Sequence, residues 1–530
     1  MTINSFMFRG LTLLLSTALL SVSVAAEDLR TFRRGGAGDP ESLDPHKILS
    51  AFESTIMTDM FLPLATTAAN DDAIPGSAES WSISDDGLTY TFNMRDGLKW
   101  SDGTPIDAYD FLYTFHRQLD PAMASRTAEY FRPIVNAEAI SKGELPVERL
   151  GVEALDSDTL VIRLAYPAPY FLDVLAIDAR PVPKHVVEKY GNEWTRPENM
   201  VINGPFKLAE WSPGSHVKLV KNDNFYDAEN VLLDEVYHVP SEDLNTGFRR
   251  FQSGELNALV SFPPNQLSFI EETMPETLRV TPGLTTEFYL FNTKRPPFDD
   301  VRVRRALSMA IDRDTLVNRV LRTGEMPAYS YIPPTVRYYP NRPEADFASW
   351  TMEERQEEAK RLLAEAGFTS DKPLVVPVRY NTQDLQARQA AAIAAMWRQI
   401  GVQTELFNTE RKILAADRMS NNFDVARYLH VAGNYDATAF MQFIQSDLSS
   451  RNFTQYDSKV FNELFVKAWR TNDPEERARL TFDAETEALA DQPMIPLYFY
   501  YGRRLVRPNV EGWVDNARGV YPSRWLSFSD

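Results

Sequence analysis

Apolar and polar residues alternate along Phe423-Asp424-Val425-Ala426-Arg427, a period of two that predicts a strand. The strand runs into a turn cluster, Gly433-Asn434-Tyr435-Asp436, before Thr438-Ala439-Phe440. Strand ends that open into turns are common places for binding groups on a rigid scaffold. The same reading along the rest of the chain predicts a strand at 29–35, broken by Gly36 to Pro40, and a helix around 54–62. Trp81-Ser82-Ile83-Ser84, the turn Asp85-Asp86-Gly87 and Thr89 to Met94 read as a hairpin. A helix starting near Asp107 carries Phe111, Leu112 and Phe115 on one face. Strands return over 150–164, around the turn Asp156-Ser157-Asp158, and at 206–211, 217–222 and 231–240. Helix and strand alternate through 246–264. Helical periodicity marks 300–321, 352–366 and 385–400, followed by a strand at 402–407. Helices at 458–470 and 475–490 and a closing strand at 495–505 complete the pattern. This alternation describes mixed α/β lobes. With no repeat, low-complexity tract or long linker, the domains are expected to interleave along the chain.

Length changes the picture first. At 530 residues, 44% hydrophobic and 24% charged, the chain is globular and too long for one ordinary core, so two or three domains are expected. A formal net charge of −19 and a pI near 4.9 argue against a nucleic-acid partner and against residence on an anionic membrane surface. The first 26 residues read as a secretory signal: Arg9 in a basic leader, an apolar run from Leu11 to Val24, and the small-residue site Val24-Ala25-Ala26 before Glu27. There is no cysteine, hence no disulfide, no thiolate metal site, no cysteine nucleophile and no lipid-modified cysteine after export. A freely soluble exported protein without a lipid anchor is the expectation.

Candidate chemistry is sparse. His46, His116, His185, His216, His238 and His430 are scattered without metal-ligand spacing. Gly-x-Ser-x-Gly, phosphate-loop and Gly-x-Gly-x-x-Gly patterns are absent. No enzyme activity, metal or cofactor is expected. What remains is a set of arginines, Arg411, Arg418 and Arg427, around the 423–427 strand. Arginine offers a planar fork of donors that fits carboxylates or phosphates, so convergence would make an anion-binding cleft. Solvated surface arginines would have the same spacing, and spacing alone does not choose between the two.

Several segments carry a resemblance. Leu43-Asp44-Pro45-His46-Lys47, Ala78-Glu79-Ser80-Trp81, Lys99-Trp100-Ser101-Asp102-Gly103-Thr104-Pro105 and Asn203-Gly204 resemble the oligopeptide-binding family of ABC importers. So do Pro296-Pro297-Phe298-Asp299-Asp300-Val301-Arg302, Met326-Pro327-Ala328-Tyr329 and Phe423 to Arg427, all in the family's order from about Asp28 onward. The resemblance implies an α/β, two-lobed periplasmic binding protein fold of cluster C type, with an additional domain in one lobe and three interleaved domains. It implies one lobe from 27–61, 186–284 and 501–530, an additional domain at 62–185, a second lobe at 285–500, and crossovers near 283–292 and 495–505. Two lobes of this kind close on a buried peptide or muropeptide and deliver it to a membrane permease.

The family's ligand residues carry over only in part. The aspartate that holds a ligand's free amino end falls on Gly433, and an assisting acid falls on Leu49. A lysine and a histidine that meet carboxyl ends fall on Leu321 and Gln386. The two carboxylate-binding arginines are kept as Arg418 and Arg427, while Arg411 and His430 stand where the family has tryptophans. The resemblance also implies that Tyr428, Leu429, Val431, Asn434, Asn381, Thr285 and Phe288 line the ligand. A buried ammonium without an anionic partner costs several kcal/mol, on the order of the desolvation of one charge. Loss of both acids therefore favours a ligand with a blocked amino end and extra carboxylates, such as a cell-wall muropeptide. The alternative is that Asn434 or Asp436 takes over the lost aspartate's task and the ligands are ordinary oligopeptides. A sugar-derived ligand, and a chaperone or sensory role, are the remaining readings.

Overall fold

The computed structural model describes residues 29–36, 38–48, 50–446 and 452–529; the expected signal segment and Leu49 lie outside them. One sheet runs through most of the molecule. Its strands follow the order Gln403–Thr409, Val375–Asn381, Val425–Val431, Leu278–Phe291, Met494–Val506, Ala258–Leu259, Thr31–Gly36, Glu235–Pro240, His216–Lys221 and Phe206–Ser212. Met326–Pro327 adds a short strand beside Met494–Val506.

Two long strands join the halves. Leu278–Phe291 pairs through Thr285 to Phe291 with Val425–Val431 on one side of the molecule. Met494–Val506 pairs through Leu505 and Val506 with Ala258–Leu259 on the other. The two strands pair with each other antiparallel, but the register shifts between Pro282 and Thr286. A shift of this kind interrupts the ladder and bends the strand. A second, smaller shift follows between Glu287 and Phe288, so the ladder is irregular over this whole stretch and bends most easily there.

Beyond this point Leu278–Phe291 is covered on both faces. Tyr289 and Phe291 pack with Val303, Leu307, Ile393 and Trp397 from helices on one side. Leu284, Phe288 and Leu290 pack with Phe443, Phe461, Phe465 and Leu489 on the other. A strand buried on both faces reads as a continuous apolar run, which is why its periodicity is hard to see in the sequence.

A smaller layer lies apart from the large sheet. Ala78–Ile83, Thr89–Met94, Thr159–Arg163 and Val152–Ala154 form an antiparallel sheet covered by the helix Ala108–Leu119. The Asp107 side chain caps that helix by accepting from the Tyr109 and Asp110 backbone amides. Phe111 and Phe115 are buried as the spacing predicts, beside Trp100, Phe131 and Leu160; Leu112, expected with them, is only partly covered, and Leu119 joins the buried face instead.

The single helix expected over 300–321 is divided. A helix covers Val301–Met309, and after Ala310 and Ile311 a new turn starts at Arg313, capped by Asp312 through the Thr315 amide. Arg313 is fully buried and donates to the carbonyls of Pro496, Ser308 and Ile311, bonds that a continuous helix would not leave free. A helix at Arg411–Met419 and a strand at Val375–Asn381 are additional to the predicted elements. The helix buries only Leu414, so its apolar period is too thin to read. Among the described residues no helix is long and apolar enough to cross a membrane.

Candidate functional site

The predicted strand starts two residues later and runs further, over Val425–Val431. It lies between Val375–Asn381 and Leu278–Phe291, with Arg427 opposite Tyr289, Tyr428 opposite Phe288 and Val431 opposite Thr285. The helix Arg411–Met419 leads into it. Arg411 and Arg418 are seven residues apart, about two helical turns, and so lie on one face. Arg411 is exposed, whereas Arg418 is half-buried.

Arg427 is not an open receptor. Its Nε and Nη2 donate to the two carboxylate oxygens of Glu287 at 2.6 and 2.8 Å, and Nη1 donates to Asn381 Oδ1 at 2.7 Å. Glu287 is completely buried and also accepts from Gln389 Nε2 at 3.1 Å. Burial pushes the Glu287 carboxyl above its ordinary range, against the pull of Arg427. For Arg427, burial opposes the charge but the Glu287 carboxylate outweighs it and holds the guanidinium above its ordinary value. The fork assigned from sequence to a ligand carboxylate is therefore filled by the protein, and Asn381 acts through Arg427.

Arg418 has no carboxylate partner among the described residues. One Nη donates to the Arg427 carbonyl at 3.2 Å, and the guanidinium lies 5.1 Å from the centre of the Tyr428 ring. Burial draws its pKa below the ordinary value; Tyr428 opposes this and the Arg427 charge adds to it. A half-buried cation next to a second cation is a place where an anion is welcome.

A cavity of about 1140 Å³ opens at the end of the strand, between the small layer and the second half of the large sheet. Tyr428, His430, Val431, Gly433 and Asn434 line it on one side, with Phe443, Phe465 and Trp469. Tyr130, Tyr166, Tyr170 and Lys142 line it on the other. Of the remaining candidates, Thr285 and Gln386 are buried and Leu429 is half-buried, and none of the three borders this cavity. Phe288 requires correction: it is wholly buried, packed on Tyr331 and Phe443, one layer behind the cavity wall. Its position on a strand covered on both faces leaves its ring no path to a ligand.

His430 belongs to the aromatic wall. Its ring lies 5.2 Å from Phe440 and 4.8 Å from Phe443, and Nδ1 is 3.2 Å from the Tyr428 hydroxyl. Burial takes its pKa down to about 4, so it is neutral at pH 7.

The loop after the strand carries the position of the lost aspartate. A Cβ added at Gly433 would meet nothing within 4 Å, so the space there is open. The residues that could replace the acid are occupied. Asp436 is bound by Arg477 through Nε at 3.0 Å and Nη2 at 2.7 Å, with both side chains largely buried. Asn434 Oδ1 accepts from the Asp436 amide, which closes the turn. Tyr435 turns the other way, across the cleft, and donates to Asp71 Oδ2 at 2.8 Å. Asp71, fully buried, also accepts from Arg518 Nε at 2.5 Å and Nη2 at 2.6 Å. Arg337 stacks 4.0 Å over the Tyr435 ring and pairs with Asp72 at 2.8 Å. These cross-cleft residues, and Glu287, were not anticipated. The one signal for Glu287 was an acid inside an apolar strand; the Asp71 contacts join positions far apart in the chain and left none.

Two halves joined by bent strands, with an open cavity at the end of one of the shared strands, define a two-lobed binding protein. The bacterial extracellular solute-binding proteins, family 5, match over residues 72–452, and the chain belongs to that family. It is 38% identical over 512 residues to the periplasmic oligopeptide-binding protein OppA of Salmonella typhimurium, 94% of each chain being covered. It is 35% identical to the probable deoxycholate-binding periplasmic protein YgiS of Escherichia coli, over 91% of this chain and 90% of that one. The structure of the Escherichia coli murein tripeptide binding protein MppA superposes with a TM-score of 0.82 at 32% identity, covering 95% of this chain and 99% of the other. The family consists of substrate-binding proteins, and these relatives are periplasmic.

Proposed function

We propose that this protein captures acidic peptides whose amino end is blocked, cell-wall muropeptides in particular, and delivers them to an ABC permease. The observation that carries this reading is the charge balance at the strand end. Arg418 is a half-buried cation without a carboxylate partner among the described residues, and the acid whose charge it feels, Glu287, is already engaged by Arg427; further along, Asp436 of the loop is held by Arg477, and Asp71, which Tyr435 reaches, is held by Arg518. A ligand carboxylate has a receptor there, and a ligand ammonium has none. Arg427 sets the pair that holds the strand, and Arg411 adds positive potential from the exposed end of the same helix.

The remaining parts of the reading follow the family. Residues 1–26 are a cleaved export signal, the mature chain is a soluble periplasmic monomer without a lipid anchor, and no reaction is catalysed. The lobes comprise 27–61, 186–284 and 501–530 on one side and 285–500 on the other, with 62–185 as the additional domain. The bend between Pro282 and Thr286 is the hinge about which they close.

Mass spectrometry of small molecules released from protein purified from its native periplasm tests the ligand class. Acidic peptides lacking a free α-amine are expected. A mixture of ordinary free-amine oligopeptides would return the protein to general peptide uptake. A second reading, a steroid acid, is favoured by the aromatic lining of the cavity and by what YgiS is named for; it also places an acid on Arg418, and the same spectra would identify it.

A further inference from the structure

We propose that the cavity beyond Gly433 is a subsite for a carbohydrate ring joined by an amide to the ligand's amino end. The inference rests on the blocked-amine reading above and specifies what the blocking group is.

Three observations lead there. First, the glycine is not imposed by the fold. Gly433 is exposed, it is not among the residues with positive φ, and an added side chain would meet no neighbour within 4 Å. The gap is a free passage from the strand end into the cavity.

Second, the cavity is larger than an amino terminus needs. Pockets of about 300–1,000 Å³ hold whole drug-sized ligands. Here about 1140 Å³ lies between the strand end and the wall of the small layer.

Third, the lining has the mixed chemistry that a sugar requires. Tyr166 and Trp469 come from opposite walls and meet edge to face, 5.7 Å between centres at 82°, and both remain partly accessible. Ring faces of this kind pack against the apolar face of a pyranose. Ser125, Ser141, Asn434 and Gln442 stand among the aromatics with hydroxyl and amide groups for sugar hydroxyls. An all-apolar lining would suit a steroid or acyl chain instead.

The test is calorimetric titration of one acidic tripeptide in three forms: with a free amine, with an N-acetyl cap, and amide-linked to the lactyl group of N-acetylmuramic acid. The muramoyl form is expected to bind at least about tenfold more tightly than the N-acetyl form. Equal affinity of those two, both above the free amine, would overturn the sugar subsite and leave the blocked-amine reading standing. Tightest binding of the free amine would overturn both. Gly433→Phe should plug the passage: the muramoyl advantage should disappear while the N-acetyl form stays within about twofold of its original affinity. Persistence of the advantage in that variant would place the ring elsewhere and refute the subsite.

Discussion

Arg427 and Arg418 stand nine residues apart and look alike in sequence, yet the fold gives them opposite surroundings. Arg427 lies in the sheet against the completely buried Glu287, its fork filled and its third donor on Asn381. Arg418 lies at the end of a surface helix, stacked on Tyr428 and bonded to a single backbone carbonyl among the described residues. A buried charge that is fully matched serves the structure, because removing its partner strands the other charge in a medium that solvates it poorly. A half-buried charge left unmatched serves recognition, because the missing partner can come from outside.

The comparison breaks most visibly in stability. Arg427→Ala or Glu287→Ala should each destabilise the protein by about 3–5 kcal/mol, read from denaturant unfolding without ligand. The double replacement by methionines should cost less than either single alanine. A small loss from Arg427→Ala, together with a large loss of affinity, would reverse the roles assigned to the two arginines.

Arg418→Ala should do the converse. Ligand affinity should fall by about 30-fold, the scale of truncating one side of a partly buried ion pair. Stability of the free protein should change by about 1–2 kcal/mol or less, the worth of a half-buried cation–aromatic contact. Calorimetry and unfolding on the same variant separate the two effects.

The cross-cleft contact sharpens the picture at the next level down. Tyr435 sits two residues past Gly433 and donates to Asp71, so the loop that borders the cavity is also tied to a segment far away in the chain. Tyr435→Phe removes one hydrogen bond to a charged acceptor, about 1.5–3 kcal/mol; if that bond belongs to the closed arrangement of the two lobes, the loss falls on ligand binding. Affinity should fall by about tenfold, and small-angle scattering should show a less compact liganded protein. Unchanged dimensions with the ligand bound would remove Tyr435 from closure.

The smallest effect is a pH dependence, absent at pH 7. His430 is held neutral with a pKa of about 4, against 6.5 for an ordinary histidine. The unfolded chain therefore binds a proton that the folded one refuses as pH falls below 6.5. The stability is fully present above 6.5 and is lost on the way down to about 4. His46, buried with a pKa also about 4, behaves in the same way. His430→Phe should leave melting at pH 7 almost unaltered and make its decline between pH 6.5 and 4.5 shallower. An unchanged slope would mean that His430 titrates normally.

How much of this was legible in the sequence follows from the range of the interactions. The 423–427 alternation and the 433–436 turn residues mark the strand and its loop, because side-chain period and turn chemistry are local. Asp107 before Phe111 and Phe115 marks a helix start for the same reason. The motif at Lys99 to Pro105 is enough to indicate the family, and with it two lobes. Near 312 local signals fell short: periodicity continues through Asp312, but the cap and the buried Arg313 divide the helix.

At the site the sequence by itself determined which groups are available: three arginines, a glycine in place of an acid, and a neutral-capable histidine among aromatics. Only the tertiary structure decided which charges remain unmatched. Glu287 meets Arg427 across 140 positions, Asp436 meets Arg477 across 41 and Arg518 meets Asp71 across 447. Electrostatic pairing depends on distance in space and on burial, and neither is encoded in spacing along the chain. Sequence could therefore place cations beside this strand, while only the fold could show that Arg427 is matched by a buried carboxylate and that Arg418 has none among the described residues.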